Sequence, residues 1–460
     1  MIPLALVACS SRGEVQREGA AAEVWDLTGA RTRVVWVQGD GTDPFAQGEA
    51  LVLKGLDTDD KKGERTILGR AQNYAKPLLT PRGDRVVFSS RRELHISIVN
   101  WDGSNLRRLA PGYALAVWAD PADDAEWIYA GRDFDKDRNT FGRVVRFRID
   151  RPDQSELVWN KTPVSEDTFH VSADGRQAGG LFPWPEAGVA ELPNRGWKKL
   201  GEGCWTALAS PDKTLLWYFD GGHRNLTFVE IETGNRWRVP INKVAGFNGN
   251  EVYHPRWTRD PRFLTITGPY IHEGQFGNKV RGGGRQVEVY LGRFSADYSM
   301  VAAWARVTAN EAGDAYPDVW VDSGRPPGQR APRPASPRAG AGLEQSTSRS
   351  SAPTAERLVL EVRLSEAGTI PSPRSIAPYR HALVVNRYEI VSKVDGRYAA
   401  REILVAEWAI RDGRILPDAR KAVGMTARLT LEPYDAHPEL EGERLVMSFE
   451  SNLPLYYHVK

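Results

Sequence analysis

The chain has 460 residues, of which 41% are hydrophobic and 26% charged, and its formal charge at pH 7 is +2. That length holds two or three domains of ordinary globular composition, and the near balance of charge excludes a general attraction to nucleic acid or to an acidic membrane surface. Fifteen Trp, fifteen Tyr and fourteen Phe against four Met point to β-rich packing, in which flat rings lie on pleated faces.

At the N-terminus an apolar run from Ile2 leads to Leu6–Val7–Ala8–Cys9. This stretch resembles the lipobox of bacterial lipoproteins, and the resemblance implies cleavage before Cys9 and diacylation there. Ser10 in the following position implies sorting to the outer membrane, so the expected location is the cell envelope, at the periplasmic face of that membrane or at the cell surface. The apolar run is too short to span a bilayer, and membrane contact is expected through the lipid alone. Residues 1–22 are therefore assigned to signal and tether. With Cys9 acylated, Cys204 has no intrachain disulfide partner and reads as a small buried hydrophobe beside Trp205.

From Val24 a unit recurs. Trp25–Asp26–Leu27–Thr28–Gly29 leads into Val34–Val37, and Leu78–Leu79–Thr80–Pro81 leads into Val86–Phe88. Val117–Trp118–Ala119–Asp120–Pro121, Phe169–His170–Val171–Ser172, Ala207–Leu208–Ala209–Ser210–Pro211–Asp212 and Arg256–Trp257–Thr258–Arg259–Asp260 precede further apolar stretches. Successive copies lie roughly 40–50 residues apart, the period of a propeller blade. Hairpin turns such as Asp102–Gly103 and Glu232–Thr233–Gly234–Asn235 follow within the copies. The Ser/Thr-Pro-x-Gly turn before a Val/Ile-rich strand, clearest at Thr80–Ser89, resembles the TolB-type (WD40-like) propeller repeat over roughly residues 24–322. That resemblance implies an all-β, six- or seven-bladed propeller over residues 23–323. Tyr316–Pro317–Asp318–Val319–Trp320 mirrors the stretch around Tyr253–Trp257 and is expected to close the ring beside the N-terminal blade, removing exposed sheet edges.

Residues 324–355 are rich in Arg, Pro, Ala, Gly and Ser, the composition of a linker. Residues 356–460 then suggest strands at Arg357–Leu364, Ala382–Val394, Glu402–Trp408, Ala427–Pro433 and Leu445–Ser451, which suits a small barrel or sandwich. The run Ala382–Ile390, then Gly396–Tyr398 and Ile403–Val405, resembles OB-like barrel modules.

The richest chemical cluster is Tyr253–His254–Pro255–Arg256–Trp257, followed by Tyr270, His272 and Gly282–Gly284. Tyr253, His254, Arg256 and His272 could abstract a proton from a uronate while the arginine neutralises its carboxylate. Some polysaccharide lyases that look like propellers combine such residues, and Trp257 and Tyr270 would then meet the ligand. The alternative is that His254 and Trp257 pack the blades. Accessible side chains converging on one pocket favour the lyase; burial between blades favours packing. In Asp133–Phe134–Asp135–Lys136–Asp137–Arg138–Asn139, oxygen ligands stand at alternate positions, as in a calcium loop. Arg138, however, occupies the place of the essential Gly, and Val144 that of the bidentate Glu, so a charged hairpin is the expected reading and Ca2+ the secondary one. No other cofactor is expected. No Gly-x-Ser-x-Gly elbow occurs, and the C-terminal module is too short for an α/β-hydrolase domain. The sequence thus points to a lipid-anchored envelope protein whose propeller binds a protein or glycan partner, with a polysaccharide lyase or hydrolase as the alternative.

Overall fold

The computed structural model describes residues 18–43, 46–60, 62–166, 169–209, 214–270, 286–322, 357–449, 451 and 453–459. Cys9, His272, Gly282–Gly284, the turn Ser210–Asp212 and the stretch 324–355 lie outside them.

Six antiparallel sheets form the first unit, and each runs outward from an innermost strand. Those innermost strands are Gly313–Val321 (blade 1), Ala75–Leu79 (blade 2), Tyr113–Ala119 (blade 3), Phe169–Val171 (blade 4), Cys204–Leu208 (blade 5) and Glu251–Trp257 (blade 6). Blade 1 is composite. Its innermost strand comes from the end of the propeller sequence and pairs with Thr32–Gly39, from Thr32 opposite Val321 to Gly39 opposite Gly313. The ring is therefore six-bladed and closed where Tyr316–Trp320 was expected to close it.

The repeated polar turn stitches neighbouring blades. In Thr80–Asp84 the Thr80 hydroxyl donates to Asp84 at 2.9 Å, and the Gly83 amide donates to the Thr80 carbonyl at 2.8 Å. Gly83 has φ of 70°, and a Cβ there would run into the Trp320 ring, whose Nε1 donates to the Pro81 carbonyl. Blade 4 repeats the arrangement: Gly175, at φ of 71°, lies under Trp118, which donates to the Ala173 carbonyl. The tryptophan of one blade thus seats on the glycine of the next blade's turn, and the left-handed backbone makes glycine the residue that fits.

One copy of the unit is something else. Trp25–Gly29 is the end of a helix, Gly19–Thr28, closed by Gly29 in the left-handed region with its amide on the Trp25 carbonyl. The run Ala20–Ala21–Ala22 favours helix, and Val24 and Leu27 bury against Phe263, Val289 and Leu291 of blade 6. The tether assigned to residues 1–22 therefore gives way to helix at Gly19.

The second unit is a barrel of strands Leu358–Glu366, Ala382–Asp395, Glu402–Arg411, Thr426–Pro433 and Leu455–His458. Numbered in chain order, they close as 1-2-3-5-4-1, with the third and fifth parallel and the other neighbours antiparallel, an OB-type barrel. Leu360, Val362, Tyr388, Val405 and Leu431 fill its interior. The fifth strand is Leu455–His458 instead of Leu445–Ser451. Within that earlier stretch only Arg444–Val446 pairs, parallel to the start of the second strand.

Candidate functional site

Four innermost strands share one irregularity. From Ala75 to Leu78 the strand advances three residues while its partner goes from Ser89 to Val87. The same extra residue separates Cys204 from Ala207, Tyr253 from Arg256, and Ala315 from Asp318. Each bulge carries a non-glycine residue at positive φ: Lys76 at 46°, Trp205 at 38°, His254 at 49° and Tyr316 at 50°. Holding such residues there costs on the order of 1 kcal/mol each. The bulges turn the four side chains toward one another.

They form a collar that fills the centre of the propeller. The His254 ring centroid lies 4.1 Å from Tyr316 and 5.2 Å from Trp205. Lys76 Nζ lies 5.9 Å from the Trp205 ring, reaching from blade 2 to the opposite blade 5, and donates to the Glu166 carbonyl at 2.8 Å. His254 is 1% exposed, and its Nδ1 meets the Thr267 hydroxyl at 2.9 Å. Further along the axis, Arg256 pairs with Asp318 at 3.1 Å. Arg259 crosses from blade 6 to the opposite blade 3 and donates to the Val117 carbonyl. Burial pulls its guanidinium down to about 10, so it stays charged at neutral pH.

Of the residues singled out from the sequence, Tyr253, His254, Trp257 and Tyr270 are buried, Arg256 is paired with Asp318, and His272 lies outside the described residues. Tyr253 is buried beside Trp205, Phe219 and His223. Tyr270 is buried, with its hydroxyl 2.8 Å from that of Thr267, and burial raises its pKa well above the ordinary phenol value. Trp257, 2% exposed, stacks among Trp217, Phe228 and Tyr298. Neither Trp257 nor Tyr270 offers a ring face to a ligand in this conformation. Tyr253 and His254 are 4% and 1% exposed among the described residues. In the Asp133–Asn139 hairpin, Asp133 pairs with Arg143, Asp135 accepts the Asp137 and Arg138 amides, and Asn139 accepts from Arg91. Among the described residues no group of three or more His, Cys, Asp or Glu could hold a metal ion.

A second cluster, announced by no local motif, lies where the barrel meets blades 4 to 6. OB-type barrels present ligands to the face of their second and third strands and to the loops joining strands 1–2 and 4–5. Here the 4–5 connection folds back over that face: Tyr434 and Leu440 pack on Leu383, Val385, Leu404 and Ala406. Both loops then reach the propeller. The 1–2 loop inserts Ile376 and Tyr379 into the propeller core, and the 4–5 loop brings Glu441 and Arg444.

Tyr379 enters a buried chain of polar groups. Trp184 Nε1 lies 3.2 Å from Cys204 Sγ, which lies 2.8 Å from Tyr379 Oη. Tyr379 Oη is 3.2 Å from His223 Nε2, and His223 Nδ1 is 3.1 Å from Glu251. Arg444 closes the chain with both oxygens of Glu251, at 2.9 and 2.8 Å. With a neutral imidazole carrying its proton on Nδ1, every link is satisfied in one direction: indole to thiol, thiol to phenol, phenol to Nε2, Nδ1 to carboxylate. Burial, reinforced by the Arg444 charge, lowers the His223 pKa to about 4, which keeps the ring neutral. Burial first, then the neighbouring thiol, raises the Tyr379 pKa well above its ordinary value, which keeps the phenol protonated.

These features define a six-bladed β-propeller with a filled centre and an OB-type barrel seated on blades 4 to 6. No protein-family model matches the sequence, and no curated protein matches it. Among solved structures the chain is similar to TolB from Acinetobacter baumannii, at 14% identity and a TM-score of 0.42 over 65% of this chain and 70% of that one. It is similar also to a putative TolB from Agrobacterium tumefaciens, at 12% identity and a TM-score of 0.35 over 62% and 91%. A third similar structure is the hydrazine synthase of Kuenenia stuttgartiensis, at 11% identity and a TM-score of 0.34 over 49% and 72%. The blade count and the barrel topology stand on the strand pairing of this chain itself.

Proposed function

We propose that the chain is a binding scaffold of the bacterial cell envelope, anchored through a lipid on Cys9, and that its partner is a protein. The observation that carries the reading is the filled centre. The groups that could perform acid–base chemistry there are engaged in packing, in hydrogen bonds or in ion pairs, with His254 stacked in the collar and Arg256 held by Asp318. A protein is favoured over a glycan by what the surface offers. The large apolar side chains with substantial exposure among the described residues are aliphatic, Leu106, Leu157, Met300, Val391, Val394, Val423 and Met425, and such side chains suit contact with a protein. The test is photo-crosslinking of the full chain in envelope preparations, with the mass of the mature N-terminus measured in parallel. A specific protein adduct and a diacylated Cys9 are expected. A rise in ultraviolet absorbance on incubation with polyuronates that disappears in His254→Ala would replace the scaffold with a lyase.

A further inference from the structure

The contact between barrel and propeller has the chemistry of recognition of a short segment. Blade 5 reads a glutamate: Tyr218 Oη donates to Glu441 at 2.8 Å, Thr227 lies 3.4 Å from the same carboxylate, and Arg238 approaches it at 3.6 Å. Blade 6 reads an arginine, since Glu251 is 0% exposed and takes Arg444 in a two-oxygen contact. Between them Gly221 clamps the backbone. Its amide donates to the Glu441 carbonyl at 2.8 Å, and its carbonyl accepts from the Leu445 amide at 3.1 Å and from Arg444 Nη1 at 3.0 Å. A Cβ on Gly221 would collide with the Glu443 carbonyl, so only glycine admits the segment. The barrel has its own closed sheet and its own core, to which the propeller contributes nothing. Beside these polar contacts, Ile376 and Tyr379 of the 1–2 loop, with Ala382 and Ile410, join the propeller's apolar cluster.

We propose that this face of blades 5 and 6 is a docking site for a protein segment bearing a glutamate and, three residues later, an arginine. The barrel's Glu441–Gly442–Glu443–Arg444 occupies it as an intramolecular competitor. The proposal rests on the reading of the chain as a protein-binding scaffold and names the chemistry of the partner. A segment on the same chain competes at an effective concentration on the order of millimolar, so a partner in trans engages when the barrel lets go.

The test uses the full chain and a fluorescent peptide copying Glu439–Phe449, with binding followed by anisotropy. Vacating the site by Glu441→Ala with Arg444→Ala is expected to tighten peptide binding at least roughly tenfold over the unaltered chain. Adding Gly221→Ala or Glu251→Gln to that variant is expected to abolish it. Where the double variant does not fold, Arg444→Lys serves, because it keeps the charge facing Glu251 and loses the Nη1 hydrogen bonds to the Gly221 and Leu445 carbonyls. Equal affinity for the unaltered and vacated chains, binding indifferent to Gly221→Ala, or no binding to the vacated chain overturns the proposal. A protein adduct in envelope preparations that survives Gly221→Ala removes this site while leaving the scaffold reading intact.

Discussion

His223 makes docking of the barrel sensitive to acid. Its pKa lies at about 4 in the folded chain, against an ordinary 6.5. A histidine with a depressed pKa binds fewer protons in the folded state, so its contribution is present above pH 6.5 and is lost as pH falls toward 4. A fall from 6.5 to about 4 corresponds to roughly 3 kcal/mol, spread over that window at no more than about 1.4 kcal/mol per pH unit. The charged and titratable groups facing the ring are Glu251 and Arg444, with Asp220 nearby, and the phenol of Tyr379. His223→Asn removes the titration while tolerating the backbone, since φ there is 53° and asparagine adopts that region readily. Urea unfolding followed by tryptophan fluorescence from pH 7.5 to 4 provides the assay. At pH 7.5 the variant is expected to be less stable by about 1–2 kcal/mol, from lost hydrogen bonds to Tyr379 and Glu251. The gap should close and then reverse as pH falls, because only the unaltered chain must keep His223 from protonating. His170, also lowered to about 4 by burial, is common to both chains and cancels in the difference. Two stability curves that run parallel from pH 7.5 to 4 would refute the buried-neutral assignment.

Other expectations follow from the same geometry. Gly83→Ala places a Cβ against the Trp320 ring at positive φ and should destabilise the propeller by about 1–3 kcal/mol, measured by urea unfolding. In the barrel, burial alone would raise the Glu407 carboxyl, but His458, Lys421 and Tyr388 outweigh it and hold the pKa at about 2. A depressed carboxylate stabilises above its ordinary pKa and stops doing so as pH falls through the folded value. Glu407→Gln should therefore cost roughly 3 kcal/mol at pH 7 and flatten the acid limb between about 4.5 and 2, read as circular dichroism against urea. Trp205→Ala opens the collar beneath Lys76 and His254, and should cost about 3–5 kcal/mol with faster exchange of the Cys204–Leu208 amides. A loss below 1 kcal/mol would mean that the collar is not packed.

Architecture was legible because it rests on local signals that repeat. The turn of Thr80–Asp84 joins a hydroxyl, an acceptor and a glycine three residues after the hydroxyl, and Ser172–Gly175 repeats it with Asp174 as the acceptor. Trp25–Gly29 misled because a glycine also ends helices, and the alanines before it decide between the two. Leu445–Ser451 misled because, past the short pairing that ends at Val446, its apolar residues Met447 and Phe449 cover the barrel from outside. The collar could have been found. Proline follows three of its four residues, at Pro77, Pro255 and Pro317, and proline within an innermost strand marks a bulge. The docked face could not. Cys204, His223, Glu251, Tyr379 and Arg444 lie on separate segments brought together only by the seating of one domain on another. Each alone reads as an ordinary buried or surface residue.

The central claim is that the barrel's 1–2 and 4–5 loops are engaged by the propeller. Hydrogen–deuterium exchange of the full chain at pH 7.5 tests it most directly, by following the amides of Gly221 and Leu445, which pair across the two units. Both should be protected in the unaltered chain and should lose protection together in Gly221→Ala, while the blade 2 amides at Arg85–Ser90 are unaffected. Free exchange at both amides in the unaltered chain, or protection that survives Gly221→Ala, would contradict the account.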